Sequence, residues 1–331
     1  MKTVEEIIFA RVVGQRQAVE LLTQAVKQNR IAPAYLFAGL DGSGRKLVAE
    51  CFIELLFTHG VQPHLIPALQ NQIRQRNHPA LLWVEPTYQY QGQRFTAAEA
   101  QEKGIKRKAP PTIRLEQIRE IGQFLARPPL GAPKNVVVLE QAESMAEAAA
   151  NALLKTLEEP GQATLILIVP NVESVLPTLV SRCQRIPFHR LTDHHVAQVL
   201  HQTSYEQILQ HPAVLSLAAG SPGRAIASYD LLQTIPQELL EQAIAIPNSY
   251  RSALELAQKI DQTLEIEVQL WFVDYLQQTY WQQKKLLQIA PRIIEQLETT
   301  RKNLLCYAQP RLVWECTFLA FLAFGEIAST G

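Results

Sequence analysis

Two short segments hold the residues whose types and spacing bear on phosphate chemistry, Gly39-Leu-Asp-Gly42-Ser-Gly44-Arg45-Lys46 and Glu140-Gln141-Ala142-Glu143. The glycines of the first match a loop whose backbone N–H groups cradle phosphates at the mouth of a helix. A competent loop of this kind ends Gly-Lys-Ser/Thr, where the ammonium reaches the β and γ phosphates and the hydroxyl ligates Mg²⁺. Arg45 and Lys46 occupy those two places. Arg45 keeps the charge as a bulky planar fork, whereas Lys46 puts a cation where a metal needs an oxygen ligand. The second segment follows the apolar run Asn135–Leu139, the layout of a Walker B strand, which would end Asp-Glu. Glu140 can hold a metal, but Gln141 cannot polarise an attacking water as a carboxylate does. Failure at both places reads as an inactive pocket, with no cofactor bound productively. Taken alone, Gly39 to Gly44 also reads as a plain strand-to-helix turn, and Asn135 to Glu143 as a buried strand with a polar turn.

The elements that must position these residues alternate strand and helix. A helix is expected from Gln15 to Gln28, a buried strand from Ala34 to Ala38, and a helix from Leu47 to Phe57 stopped at His59-Gly60. Further strands are expected at Ala80–Val84, Asn135–Leu139, Leu165–Val169 and Arg185–Phe188, with a helix over Leu115–Leu125. Ser144 is expected to cap the next helix in a capping box with Glu147, and Pro160-Gly161 to end it. The polar stretch from Thr87 to Ile113 reads as an exposed insertion, with a basic cluster at Lys103, Lys106, Arg107 and Lys108. Beyond Arg190 the strand signal fades. His195 to Gly223 reads as a small helical domain ending in Gly220-Ser-Pro-Gly-Arg224. Everything after Ile235 reads as helix, with Leu254, Ala257, Ile260, Leu297, Leu304, Leu312 and Phe321 at helical periods and breaks at Pro247, Pro291 and Pro310.

Composition narrows the classes. With 331 residues and 47% hydrophobic content the chain can bury large cores in two or three domains. Lysine plus arginine equals aspartate plus glutamate at 31 each, so any nucleic-acid contact must come from a local patch. The start Met1-Lys-Thr-Val-Glu-Glu-Ile-Ile lacks a hydrophobic signal core, and the longest apolar stretch, Cys316 to Phe324, is too short for a bilayer. A soluble cytoplasmic protein with no membrane contact is expected. Cys51, Cys183, Cys306 and Cys316 lack paired spacing, and Cys51 with His59, His64 and His78 falls short of four close ligands. No metal is expected; a buried Cys51 and surface histidines are.

Five segments together resemble the clamp-loader branch of the AAA+ proteins, and most closely the delta-prime subunits of bacterial DNA polymerase III. They are Val13-Gly14-Gln15, Ala34-Tyr-Leu-Phe-Ala-Gly39, His78-Pro-Ala-Leu-Leu-Trp-Val-Glu-Pro86, Asn151-Ala-Leu-Leu-Lys-Thr-Leu-Glu-Glu-Pro160 and Leu176-Pro-Thr-Leu-Val-Ser-Arg-Cys183. The resemblance implies an α/β fold: an AAA+ parallel-sheet domain with a helical lid, followed by an all-α C-terminal domain. The expected boundaries are 1–190 for the nucleotide-binding-like domain with an insertion near 87–113, 191–234 for the lid, and 235–331 for an oligomerisation collar. Such proteins form pentameric loaders that open a ring-shaped clamp and close it around primed DNA, with ATP at subunit boundaries. Implied partners are a gamma/tau-like motor and a delta-like subunit, with the sliding clamp and primer-template DNA met through the complex.

In such loaders the Ser-Arg-Cys motif supplies an arginine finger. Carried onto this chain, Arg182 reaches the γ-phosphate of ATP on a neighbouring subunit, in trans. Arg224 resembles a sensor arginine, and Asn171 lies near the first sensor position, although an Asn after Pro170 is ordinarily turn chemistry. A four-cysteine zinc module that often follows the loop helix in the family has no counterpart here. Two other readings stay open: an autonomous AAA+ ATPase with an atypical loop, and a plain protein-interaction adaptor.

Overall fold

The computed structural model describes residues 4–104, 110–159, 161–283 and 290–329. Two compact units divide the chain, Met1–His195 and Val196–Gly331. In the first, α1 (Val4–Ile8) and α2 (Arg16–Lys27) precede β1 (Ala34–Ala38), α3 (Arg45–Thr58), α4 (Ile66–Arg74) and β2 (Leu81–Val84). Next come β3 (Tyr88–Tyr90), β4 (Gln93–Phe95), α5 (Ala97–Glu102) and α6 (Leu115–Leu125). The unit continues through β5 (Asn135–Leu139), α7 (Glu147–Glu158), β6 (Ala163–Val169), α8 (Pro177–Val180) and β7 (Gln184–Pro187).

The expected parallel sheet is present. Five strands pair in the order β2-β5-β6-β1-β7, every pair parallel. Continuous apolar runs form its central strands because both faces are covered. Tyr35, Phe37, Val136, Val138, Ile166 and Ile168 face a core shared with α2, α3 and α4. Their alternates Leu36, Val137, Leu139, Leu165, Leu167 and Val169 face a second core with α6, α7 and α8. Ligand crevices in such sheets lie beyond the carboxyl ends of the strands. Both candidate loops sit there, one after β1 and one after β5.

Several expectations need correction. The stretch between His59 and Arg114 holds an unforeseen helix, α4. The 87–113 segment is more than an exposed loop: β3 and β4 form an antiparallel hairpin, Thr87 bridges Thr112, and Ile113 is fully buried. Lys106, Arg107, Lys108 and Pro160 lie outside the described residues. Ser144 does not cap α7; it sits in a 3₁₀ turn, and Ala146 takes the N-cap position without a side-chain bond.

The second unit is helical among its described residues. It comprises α9 (Asp193–Gln202), which starts just before the boundary, then α10 (Pro212–Ala218), α11 (Pro222–Thr234), α12 (Gln237–Ile244), α13 (Tyr250–Thr263), α14 (Ile266–Gln282), α15 (Ala290–Leu305) and α16 (Pro310–Ser329). The Gly220-Ser-Pro-Gly-Arg224 segment opens α11: Ser221 Oγ accepts the Arg224 N–H at 3.3 Å, and Pro222 sits at the first helical position. Trp314, Tyr280, Phe272, Phe318 and Phe321 fill the core. Buried Gln269 accepts from the Trp314 indole at 2.9 Å and donates to Leu264 O at 2.8 Å, so neither polar group is stranded. Leu254 and Leu312, which fall at helical periods in the sequence, point outward at 40% and 55% exposure. No helix is long and apolar enough to cross a membrane among the described residues.

Candidate functional site

A cavity of about 410 Å³ opens where the two loops converge. Gly42, Gly44, Arg45 and Lys46 line it from the first loop and Glu140, Gln141 and Glu143 from the second, with Ile168 of β6 between. Gly44 is the N-cap of α3 at φ 97°, a left-handed conformation that favours glycine, and no side chain caps the helix. The glycine loop thus delivers Arg45 and Lys46 on the first turn of a helix.

Neither cation points freely into the cavity. Lys46 Nζ contacts Glu140 Oε1 at 2.8 Å. Arg45 is 6% exposed and its Nη2 pairs with Asp41; its Nη1 is buried without a hydrogen-bond partner, as is Ser43 Oγ. Glu140 is more heavily engaged. Besides Lys46 it accepts from Arg76 Nη2 at 3.2 Å and from the indole N–H of Trp83. The Arg76 guanidinium lies over the Trp83 ring, 4.4 Å from its centroid, and also pairs with Glu85. Arg76 gets there because it leaves α4 in the left-handed region at φ 55°. Gln117 fixes the strand end that bears Glu85, donating to Glu85 O at 2.9 Å.

Charge in the cavity is lopsided. Four carboxylates, Asp41, Glu50, Glu140 and Glu143, line it against two cations, Arg45 and Lys46. Burial pushes Glu50 above the usual carboxylate range, an effect that Arg11, Lys46 and Arg76 oppose. Glu143 is also raised, chiefly by burial and further by Asp41, and its Oε2 is buried without a partner.

The sequence reading missed Gln15 as a site-positioning residue, although Val13-Gly14-Gln15 was among the segments carrying the resemblance. Gln15 is 3% exposed; its amide donates to Ser43 O at 3.1 Å and His189 O at 2.8 Å, and its carbonyl accepts from His189 N at 3.1 Å. One side chain ties the glycine loop to the segment after β7. Arg76, Trp83 and Glu85 were also missed as a set, because only the fold brings α4 and β2 to the same mouth.

The remaining candidates lie elsewhere. Arg182 follows α8 and is exposed; its Nη1 donates to Thr178 O at 3.0 Å and its Nη2 to Glu158 Oε1 at 2.7 Å. Ser181 Oγ donates to the same Thr178 carbonyl at 3.0 Å. Cys183 packs on the sheet core, where burial pushes its thiol up to about 11 and leaves it inert as a nucleophile at neutral pH. Asn171 starts a 3₁₀ turn and does not line the cavity. Arg224 is exposed in the first turn of α11, in the second unit.

Cys51 is buried as expected, while His59 and His64 are exposed. His78 corrects the expectation of a surface histidine: it is 4% exposed and accepts from the Ala80 N–H. Among the described residues no group of three or more His, Cys, Asp or Glu could hold a metal ion. Glu54 of α3, 1% exposed, binds Arg11 at 2.8 Å and Arg74 of α4 at 3.4 Å.

Known proteins agree with this frame. Residues 14–192, more than half of the chain, match the family described as DNA polymerase III, delta subunit. Residues 194–321 match the cyanobacterial DNA polymerase III delta prime C-terminal domain. DNA polymerase III subunit delta' of Bacillus subtilis is 29% identical over 54% of this chain and 48% of its own length. The Escherichia coli K12 subunit delta' is 37% identical over 42% of each chain. The chain thus spans about half the length of the curated delta' relatives it matches. A gamma subunit-related protein of Thermotoga maritima aligns with a TM-score of 0.55 at 15% identity, covering 93% of this chain and 99% of that one, which shows a shared fold. The family match covers the parallel-sheet unit and the delta prime C-terminal match covers the helical region, and the chain belongs to the delta-prime subunit family of bacterial DNA polymerase III.

Proposed function

We propose that this chain is a non-hydrolysing subunit of a clamp loader, which keeps its own pocket closed to Mg²⁺·ATP and lends Arg182 to the nucleotide of a neighbouring motor subunit. The ion pair between Lys46 and Glu140 carries the first half. In a working site that region holds Mg²⁺ between a loop hydroxyl and an acidic strand end. Here an ammonium occupies the loop position and already satisfies the carboxylate. Arg45 is drawn to Asp41, and the excess of carboxylates repels a triphosphate. The residues present do not fit Mg²⁺·ATP, so no step of hydrolysis is assigned to this pocket.

Support for the second half is the exposed guanidinium of Arg182, held at a turn on the outside of the unit with N–H groups to spare. Such a group stabilises the charge that spreads over a phosphoryl group in transfer. The partners on this reading are a gamma/tau-like motor and a delta-like subunit, with the clamp and primer-template DNA reached through the assembly. The test is ATP turnover. The purified chain alone should show none, adding it to a motor partner with clamp and primed DNA should raise turnover, and Arg182→Ala should assemble yet lose about a thousandfold at that interface. Unchanged turnover with the alanine variant would remove Arg182 from the mechanism.

One observation favours a second reading, an atypical but functional nucleotide site. Arg45 lines the cavity and its Nη1 is buried without a hydrogen-bond partner, which an anion there would supply. Micromolar binding of ATP that disappears with Arg45→Ala is the result this reading requires.

A further inference from the structure

We propose that Glu158 is a positioning residue for Arg182: in the free subunit its carboxylate neutralises the guanidinium, and an arriving triphosphate competes with it. This inference rests on the finger reading given above. The backbone frame around the pair is fixed. Glu158 ends α7, Arg182 follows α8, and the two helices share one core through Leu153, Leu157, Leu179 and Val180. Only the side-chain tips are free to exchange partners, since Arg182 and Glu158 are 37% and 54% exposed.

The bonding pattern divides the work. Thr178 O holds Nη1 at 3.0 Å and keeps the side chain folded along its own turn, while Glu158 takes Nη2 at 2.7 Å. A guanidinium has five N–H donors, so others remain for a phosphate. The carboxylate cannot share the site equally, because it lies beside the same charge that a triphosphate seeks and repels the newcomer. Water already competes for an exposed pair, so the exchange is cheap and the pair acts as a bias on affinity rather than a block. Glu159, the next residue, is also exposed and makes no ion pair with Arg182, which provides an internal control.

The experiment is a steady-state ATP titration of the complex of this chain with a gamma/tau-type motor and a delta-type subunit, with clamp and primed DNA. Glu158→Gln keeps an acceptor for Nη2 and removes the charge. Its expected effect is a fall in the KM for ATP of about two- to fivefold, the range an exposed ion pair supports, with kcat held within about twofold. Glu159→Gln should match the wild type, and Glu158→Asp should retain the wild-type KM. High salt should shrink the Glu158→Gln effect, and an Arg182→Ala background should abolish it. An unchanged or raised KM for Glu158→Gln, with Arg182→Ala still impaired, overturns the role of Glu158 and leaves the finger standing. An Arg182→Ala complex with full turnover overturns the finger itself.

Discussion

Lys46 Nζ lies 2.8 Å from Glu140 Oε1, so a residue on the first turn of α3 closes an ion pair with the end of a strand two positions away across the sheet. β6 separates the two strands concerned, and Ile168 supplies the apolar floor between them. On the proposed function the pair matters because it engages the acidic group that a metal would need. Restoring the loop chemistry should reverse this. Arg45→Lys together with Lys46→Thr supplies a compact ammonium and a hydroxyl ligand in the family-competent order. Titration with a fluorescent ATP analogue in Mg²⁺ should show saturable binding for the double variant and none for the wild type up to millimolar nucleotide. Equal binding by both would remove the ion pair as the cause.

Glu54 is the buried anchor for Arg11 and Arg74, and its removal leaves two guanidinium groups without a common partner. Gln70 Nε2 also donates to it at 3.3 Å. Glu54→Gln should cost about 3 kcal/mol, the low end for breaking a buried pair, because Arg11 and Arg74 are partly exposed and can turn into water. Urea denaturation checks this, and a loss below about 1 kcal/mol would demote the network to surface chemistry. Chelators should leave the unfolding midpoint unchanged on the same argument, since α4 is tied to α3 by charge.

Two Ser/Thr-x-x-Glu patterns show what local sequence can and cannot fix. Thr96-Ala-Ala-Glu99 is a real capping box, with Glu99 N donating to Thr96 Oγ1 at 3.3 Å and Thr96 N to Glu99 Oε2 at 2.7 Å. Ser144-Met-Ala-Glu147 has the same spelling and fails. Ile113 N donates to Ser144 O at 3.2 Å and Ala146 N to Ile113 O at 3.1 Å, so a neighbouring segment holds Met145 and Ala146 extended after the 3₁₀ turn and moves the N-cap to Ala146. The central strands were legible because a buried parallel strand is apolar throughout. Helix α4 had a signal in Ile66, Leu69 and Ile73 with Pro67 at its start, but polar residues between them obscured the period. Gly39 to Lys46 and Glu140 declared themselves by type and order, whereas Arg76 and Trp83 became part of the site only through the fold.

His78 makes stability depend on pH. Its ring packs on Phe57 at 4.8 Å between centroids, its nitrogen accepts from Ala80 N–H at 3.2 Å, and burial holds its pKa below the ordinary value. The folded ring therefore resists a proton that the unfolded chain takes up near about pH 6.5. Its contribution is full above that value and is lost as pH falls through it toward the depressed folded pKa. Urea midpoints at about pH 7.5 and pH 5.5 should fall more steeply for the wild type than for His78→Gln, which cannot titrate. Parallel pH dependences would place the acid sensitivity in other groups.

Two glycines should respond to alanine with opposite signs. At Gly39, an added Cβ would lie 2.5 Å from both the Cβ and the carbonyl oxygen of Phe188. Phe188 cannot retreat easily: its N–H donates to Ala38 O at 2.8 Å, and its ring sits 5.3 Å from that of Phe37. Gly39→Ala should therefore spread β1 from the end of β7 and cost about 1–3 kcal/mol as overpacking. It should also disturb the nearby bond from Gln15 to His189 O, and with it the glycine loop that Gln15 holds. Gly122 lies inside α6 with nothing within 4 Å of a built Cβ, so Gly122→Ala should stabilise by about 0.5–1 kcal/mol through helix propensity and a less flexible unfolded chain. Chemical denaturation of both variants beside the wild type measures the two signs in one experiment. A neutral Gly39→Ala would mean that the strand end moves aside at no cost, and the close approach at the root of the loop would then not be what selects glycine there.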